Sequence, residues 1–197
     1  PNNCKDWLRK VHGQLFDLSE VCSGSSRLSM TCWASGLAVT PPIDYRYGWD
    51  LRRHEHRALL GQAFDTIKPA IQFYSPRCTA WSLATVRKDK AKLDKDKHTN
   101  IPVLRWMTRT IRAQVSDESR AACIENPQAS TIFKQSPLSG RLSLETAELT
   151  HTDQCQHGAA DPETGDPIKK ATAFLSLGQL DLSSLALRCK GNARCPN

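Results

Sequence analysis

Two short stretches carry residue types suited to covalent chemistry. In residues 71–82, IQFYSPRCTAWS, a β-favouring run ends in Ser-Pro-Arg-Cys. That spacing puts the Cys78 thiol at the carboxyl end of a strand, where α/β proteins keep their chemistry. In residues 121–127, AACIENP, a second buried run ends in Glu125 and Asn126. A thiol acts as a nucleophile through its thiolate, and the Arg77 cation next to Cys78 favours that form. A carboxyl group at a buried strand end has its pKa raised and can engage a substrate on which charge develops. Cys78 is therefore a candidate nucleophile behind Pro76, which stops the strand, and Glu125 and Asn126 are the polar groups at the second strand end.

A third strand end reads as a cofactor turn. Val21-Cys22-Ser23-Gly24-Ser25-Ser26 joins a strand to a helix through a glycine, which lets backbone approach a ligand with a helix amino terminus facing it. Asp44 follows Gly24 by about 20 residues, the distance at which an acidic side chain reaches ribose hydroxyls. Asp50 and Leu51, in GWDL, offer an acid and an aliphatic for an adenine edge and ring. Ser26 stands where a further glycine would complete a pyrophosphate-binding turn, so a cofactor without a pyrophosphate fits better than a dinucleotide. The candidate cofactor residues are Cys22, Ser23, Gly24, Ser25, Asp44, Asp50 and Leu51.

The elements that position these ends alternate. Strands are predicted over residues 13–22, 37–44, 68–76 and 121–127, with late strands over 147–158 and 168–177 joined by a turn-rich 159–167. Helices are predicted over 27–36, closing on Gly36, over 51–67, and over 101–115, opening at Pro102. The alternating-charge run 86–100 reads as a solvated loop or frayed helix. This βαβα order implies an α/β fold with a mostly parallel sheet and helices on both faces. Trp33, Trp49 and Trp106 are expected to pack and Cys123 to sit in the core. His54 and His56 are expected to be exposed.

With 197 residues the chain suits one domain, residues 1–197. The net charge of +7 points to an anionic partner, with nucleic acid the default. No apolar run approaches the ~20 residues of a membrane span, so no membrane partner is expected. Of the eight cysteines, Cys22, Cys78 and Cys123 sit in or just after apolar runs rather than in a loop framework, which favours reduced thiols in an intracellular, reducing compartment. Cys155, His157, Cys189 and Cys195 are a conceivable zinc set, but their spacing fits no common template. Separate thiols and no metal is the reading adopted. The opening PNNCKDW lacks an initiator methionine, and a longer parent chain with other domains is expected.

In this order, the CSGSS turn, Asp44, GWDL, SPRCTAWS and ENP segments resemble the cytosine-5 DNA methyltransferases. The likeness covers roughly residues 15 to 130 and is nearer to compact methyltransferase-like domains of retroelement and phage polyproteins than to the large enzymes. It implies a Rossmann-like class I methyltransferase fold that uses S-adenosylmethionine and forms a Cys78 adduct with cytosine, Glu125 engaging the base. It makes Cys78, Glu125, Pro76 and Asn126 the catalytic set and Trp81 a candidate to stack the flipped base; Asp44 then meets the ribose, and Asp50 and Leu51 the adenine. DNA is the implied partner, RNA the alternative, and the nucleus the compartment in a eukaryote. Arg77, Lys88, Lys90, Lys92, Lys169 and Lys170 are the candidate nucleic-acid contacts. The chain departs from the family at Ser26, at Arg77 in place of a proline, and in having no room after ENP for a target-recognition domain. Those departures sustain a second expectation, an inactive methyltransferase-like module that binds nucleic acid or protein.

Overall fold

The computed structural model describes residues 15–82, 89–140 and 147–191. Its elements in chain order are strand β1 (Leu18–Val21), helix α1 (Arg27–Ala34), helix α2 (His54–Ile67), strand β2 (Ile71–Tyr74), helix α3 (Lys90–Val115), strand β3 (Ala121–Pro127), the one-turn helix α4 (Ser136–Ser139), and strands β4 (Glu148–Asp153) and β5 (Ala171–Leu177). The strands form one sheet in the order β1-β2-β3-β5-β4. β1, β2 and β3 are parallel; β5 pairs antiparallel with both β3 and β4. Since both neighbours of β5 oppose it, β4 runs with the first three, and β5 is the single reversed strand. The fold is α/β with a mostly parallel sheet, as the sequence predicts.

The second predicted strand survives only as two parallel bridges, Leu18 to Val39 and Val21 to Ile43. Pro41 and Pro42, which lack the N–H a ladder needs, account for the interruption. Even so, residues 39–43 lie beside β1 on the edge away from β2. The chain therefore leaves β1 in one direction and later returns on the other side. This is a topological switch point, and in open α/β sheets ligands bind outside the carboxyl ends there.

Helices cover both faces. Val21, Tyr74, Ile124 and Leu175 align across four strands and are fully buried under α2 and α3. The Tyr74 hydroxyl lies 2.9 Å from Thr110 Oγ1, and its ring meets Trp106 edge-on. Gln114, buried on α3, donates to the carbonyls of Pro69, Ala70 and Ala121 and so ties the helix to the starts of β2 and β3. On the opposite face α1 rests on β1 through Glu20, whose buried carboxylate accepts from the backbone N–H and hydroxyl of Ser29.

Four expectations are corrected. The charged run, read as a loop or frayed helix, is regular helix from Lys90 on, its first three residues lying outside the described part: α3 begins at Lys90, with Asp89 accepting from Ala91 N at 2.9 Å as its cap and Pro102 inside it. Lys90/Asp94, Lys92/Asp96 and Asp94/His98 fall at i,i+4, where side-chain pairs support a helix without any apolar stripe. His56 is buried, not exposed, because it continues the Leu60, Phe64 and Ile67 face of α2, and its Nδ1 accepts from Asp50 N. Trp33 is 74% exposed, since α1 meets the sheet only along its Ser29 side. The predicted first strand is described only over Leu18–Val21, residues 13 and 14 lying outside the described part.

Gly178, just after β5, shows how tightly the strand starts are packed. It has φ +80°, and a Cβ there would sit 2.5 Å from the Arg120 carbonyl. Gly178→Ala therefore combines left-handed strain with a backbone clash, and should lower the unfolding free energy by about 2–6 kcal/mol in urea titrations.

Candidate functional site

The turn after β1 is built from left-handed residues. Cys22 (φ 59°), Gly24 (φ 54°) and Ser26 (φ 56°) alternate through it, and two of the three carry side chains. A non-glycine residue in this region costs roughly 1–3 kcal/mol and persists where its surroundings hold it. Cys22 N donates to Ile43 O at 2.7 Å, which fixes the turn against residues 39–43. Ser26 keeps a glycine-like conformation because its hydroxyl bonds to Ser23 Oγ and Tyr47 OH, both at 3.1 Å. Above Gly24 the space is open, with nothing within 4 Å of where a Cβ would be.

Asp44 serves this turn directly. One carboxylate oxygen accepts from Gly24 N at 3.1 Å and the other from Arg46 N at 3.0 Å. Each oxygen retains a lone pair for a further donor. Asp50 is engaged differently: it accepts from Arg52 Nε at 2.8 Å and Nη2 at 3.0 Å, and this pairing holds its carboxyl below the usual range. Arg52 also lies 5.7 Å over the Tyr45 ring.

Between the ends of β1 and β2 is a cavity of about 80 Å³ lined by Cys22, Leu51, Arg52, Pro76, Arg77, Trp81, Asn100, Val103 and Leu104. Pockets that bury a whole small ligand run to roughly 300–1,000 Å³. This one is the size of an inner recess, and Gly24 and Asp44 stand at the same sheet edge. Burial, with Asp44 nearby, pushes the Cys22 thiol up to about 12, so it stays protonated. Sequence reasoning missed Asn100 because the helix that presents it was expected to start at residue 101; Val103 and Leu104 fell inside that predicted helix but were not read as site residues.

The second cluster lies where β2 and β3 end. Their register pairs Tyr74 with Ile124, so the Ser75-Pro76 turn leads away beside Glu125 and Asn126. Asn126, 1% exposed, donates from Nδ2 to the Pro76 carbonyl at 2.8 Å. This bond ties the two strand ends together immediately before the 3₁₀ turn Cys78–Ala80. Cys78 is half-buried at the head of that turn, and its carbonyl accepts from Trp81 N and Ser82 N. Trp81 is 2% exposed and forms a cavity wall. Arg77 lines the cavity as well and donates from Nε to Thr79 Oγ1.

Glu125 is half-buried, and burial raises its pKa; Lys170 and the Ser75 hydroxyl oppose that rise. Lys170 Nζ, brought in by the β3–β5 pairing, stands 3.8 Å from Glu125 Oε1. Glu125 Oε1 and Asn126 Oδ1 are both buried without a hydrogen-bond partner among the described residues. A half-buried acid with a raised pKa can hold a proton at this sheet edge. Cys123, two residues earlier, is fully buried, and its thiol is pushed up to about 12 by burial.

The remaining candidates spread out. Lys90 and Lys92 are exposed on the first turns of α3, Lys169 precedes Lys170 before β5, and Lys88 lies outside the described residues. Trp49 is buried in the core. His157 Nε2 lies 2.8 Å from Thr152 Oγ1 and 3.3 Å from Leu185 O. Cys189 N donates to Asp153 Oδ2. Among the described residues no three His, Cys, Asp or Glu side chains gather as a metal site, and Cys195 lies outside them. Among the described residues, too, no helix is long and apolar enough to cross a membrane.

No protein-family model matches the chain, and no curated protein does. Among solved structures the chain is similar to the S. pombe Dnmt2 methyltransferase, with a TM-score of 0.48 and 10% identity over 85% of this chain. The chain spans about half of that protein, 51% of its length.

The raised Glu125 carboxyl has a signature in stability. Its unfolded pKa is about 4.3, and its folded value is higher. The group therefore favours the folded state fully below the unfolded pKa, and that contribution is lost as pH rises through the folded pKa. Glu125→Gln removes this dependence. Its stability relative to wild type should rise from pH 4 to pH 8, as read by urea unfolding across that range.

Proposed function

We propose that this chain is an S-adenosylmethionine-dependent methyltransferase acting on C5 of cytosine in nucleic acid, DNA in the first instance, through a covalent Cys78 adduct. The observation that carries the reading is the joining of two strand ends by Asn126 and the Pro76 carbonyl. It ties the end of β3, which carries Glu125, a half-buried acid whose pKa is raised, to the backbone two residues before Cys78.

The residues at the switch point fit the cofactor. Asp44 retains lone pairs for ribose hydroxyls, the space above Gly24 is open, and the recess behind them is largely apolar, with Leu51 and Leu104 among its walls. When bound, the cofactor supplies an electrophilic methyl group. The chain's residues supply the rest. The Cys78 thiolate forms a bond to C6 of cytosine while Glu125 delivers its proton to N3, which makes C5 electron-rich enough to take the methyl group. Loss of the C5 proton to solvent then expels the Cys78 thiolate by breaking the S–C6 bond, and N3 returns its proton to Glu125. Lys170, 3.8 Å from Oε1, would stabilise the carboxylate formed between these steps. The target base must leave a duplex to reach such a site. Lys90, Lys92 and Lys169 are the cations offered to phosphates.

Labelled methyl transfer from the cofactor to DNA and RNA tests the assignment. Wild type should label one of them. Cys78→Ser should abolish labelling while the melting temperature and S-adenosylhomocysteine binding persist, and Glu125→Gln should slow turnover by about 10²–10⁴-fold. Cofactor binding without labelling of either nucleic acid would favour the inactive-module reading.

A further inference from the structure

Five side chains lining the recess between β1 and β2 can hydrogen-bond: Cys22, Arg52, Arg77, Trp81 and Asn100. The two arginines and the Trp81 indole can only donate. The Cys22 thiol, kept protonated by burial, is a weak partner in either direction. Asn100 differs, because its amide donates and accepts. Nδ2 gives one proton to the Asp96 carbonyl at 2.7 Å. Its second N–H and Oδ1 have no partner among the described residues.

That leaves one donor and one acceptor side by side on a helix face shared with Val103 and Leu104, in a recess also lined by Leu51, Pro76 and Trp81. Apolar walls with an adjacent donor and acceptor complement adenine, whose amino group donates next to an accepting ring nitrogen. Asparagine is the side chain that satisfies both at once. The Asp96 carbonyl also fixes which way the amide points. Flipping it to suit a 6-oxo purine would turn Oδ1 towards another oxygen. Asp50, the residue the sequence offers for this role, is absent from the recess lining and is held by Arg52.

We propose that Asn100 reads the adenine amino edge of the cofactor, with Asp50 acting as a positioning residue for Arg52. This inference rests on the cofactor assignment proposed above. Calorimetry with S-adenosylhomocysteine and S-inosylhomocysteine, in which oxygen replaces the adenine amino group, tests it. Wild type should prefer the adenosyl compound by about 10–100-fold. Asn100→Ala, a favourable substitution in a helix, should bring the two affinities within about threefold by weakening only the adenosyl compound. Asp50→Asn should keep the preference. A preference intact in Asn100→Ala, or lost in Asp50→Asn alone, overturns the role of Asn100. Equal wild-type binding of both compounds overturns it and leaves the cofactor assignment standing. Wild-type binding of neither overturns both.

Discussion

The constraint on which this molecule depends is that β1 has neighbours on both sides, reached by the chain in opposite directions. Residues 39–43 take one edge and β2 the other. The backbone leaving β1 must clear both, and it does so through the left-handed Cys22, Gly24 and Ser26. That strain is held by fixed partners: Ile43 O on Cys22 N, Asp44 on Gly24 N, and the Tyr47 hydroxyl on Ser26. The result is an open edge with a helix amino terminus behind it and a recess at its base.

From that edge the site is passed along the sheet by register. β1 aligns with β2 and β2 with β3, so the strand carboxyl ends arrive as a row. Asn126 then locks the second and third ends together. The reversed strand β5 contributes its amino end to the same edge, which is how Lys170 comes to face Glu125. Parallel neighbours present carboxyl ends together; one antiparallel neighbour brings in residues from a distant part of the chain.

What could be read from the sequence followed from local pattern. The β3 run and its polar end, the Gly36 turn (φ 86°) and the spacing of Asp44 from Gly24 all lie where local rules put them. His56 was legible too, had its i+4 spacing to Leu60 been weighed above its charged neighbours. The charged start of α3 was not, because it opens on the Asp89 cap and charged residues at i,i+4 spacing and no apolar face announces it. Asn100 stayed hidden for the same reason. Lys170 beside Glu125 depends on a pairing between β3 and β5, and no local pattern encodes that register. Arg77 shows the reverse case, in which adjacency in sequence pointed to Cys78 and the side chain bonds to Thr79 and lines the recess instead.

The central claim is that Cys78 bonds covalently to a cytosine. The most direct measurement is mass spectrometry of the protein after incubation with cofactor and oligonucleotides, DNA and RNA, that carry 5-fluorocytosine, which blocks the release step. The account predicts a denaturant-stable complex whose cross-linked peptide carries the nucleotide on Cys78. A protein that binds S-adenosylhomocysteine yet forms no complex with either oligonucleotide, or one that carries the nucleotide on another residue, would contradict it.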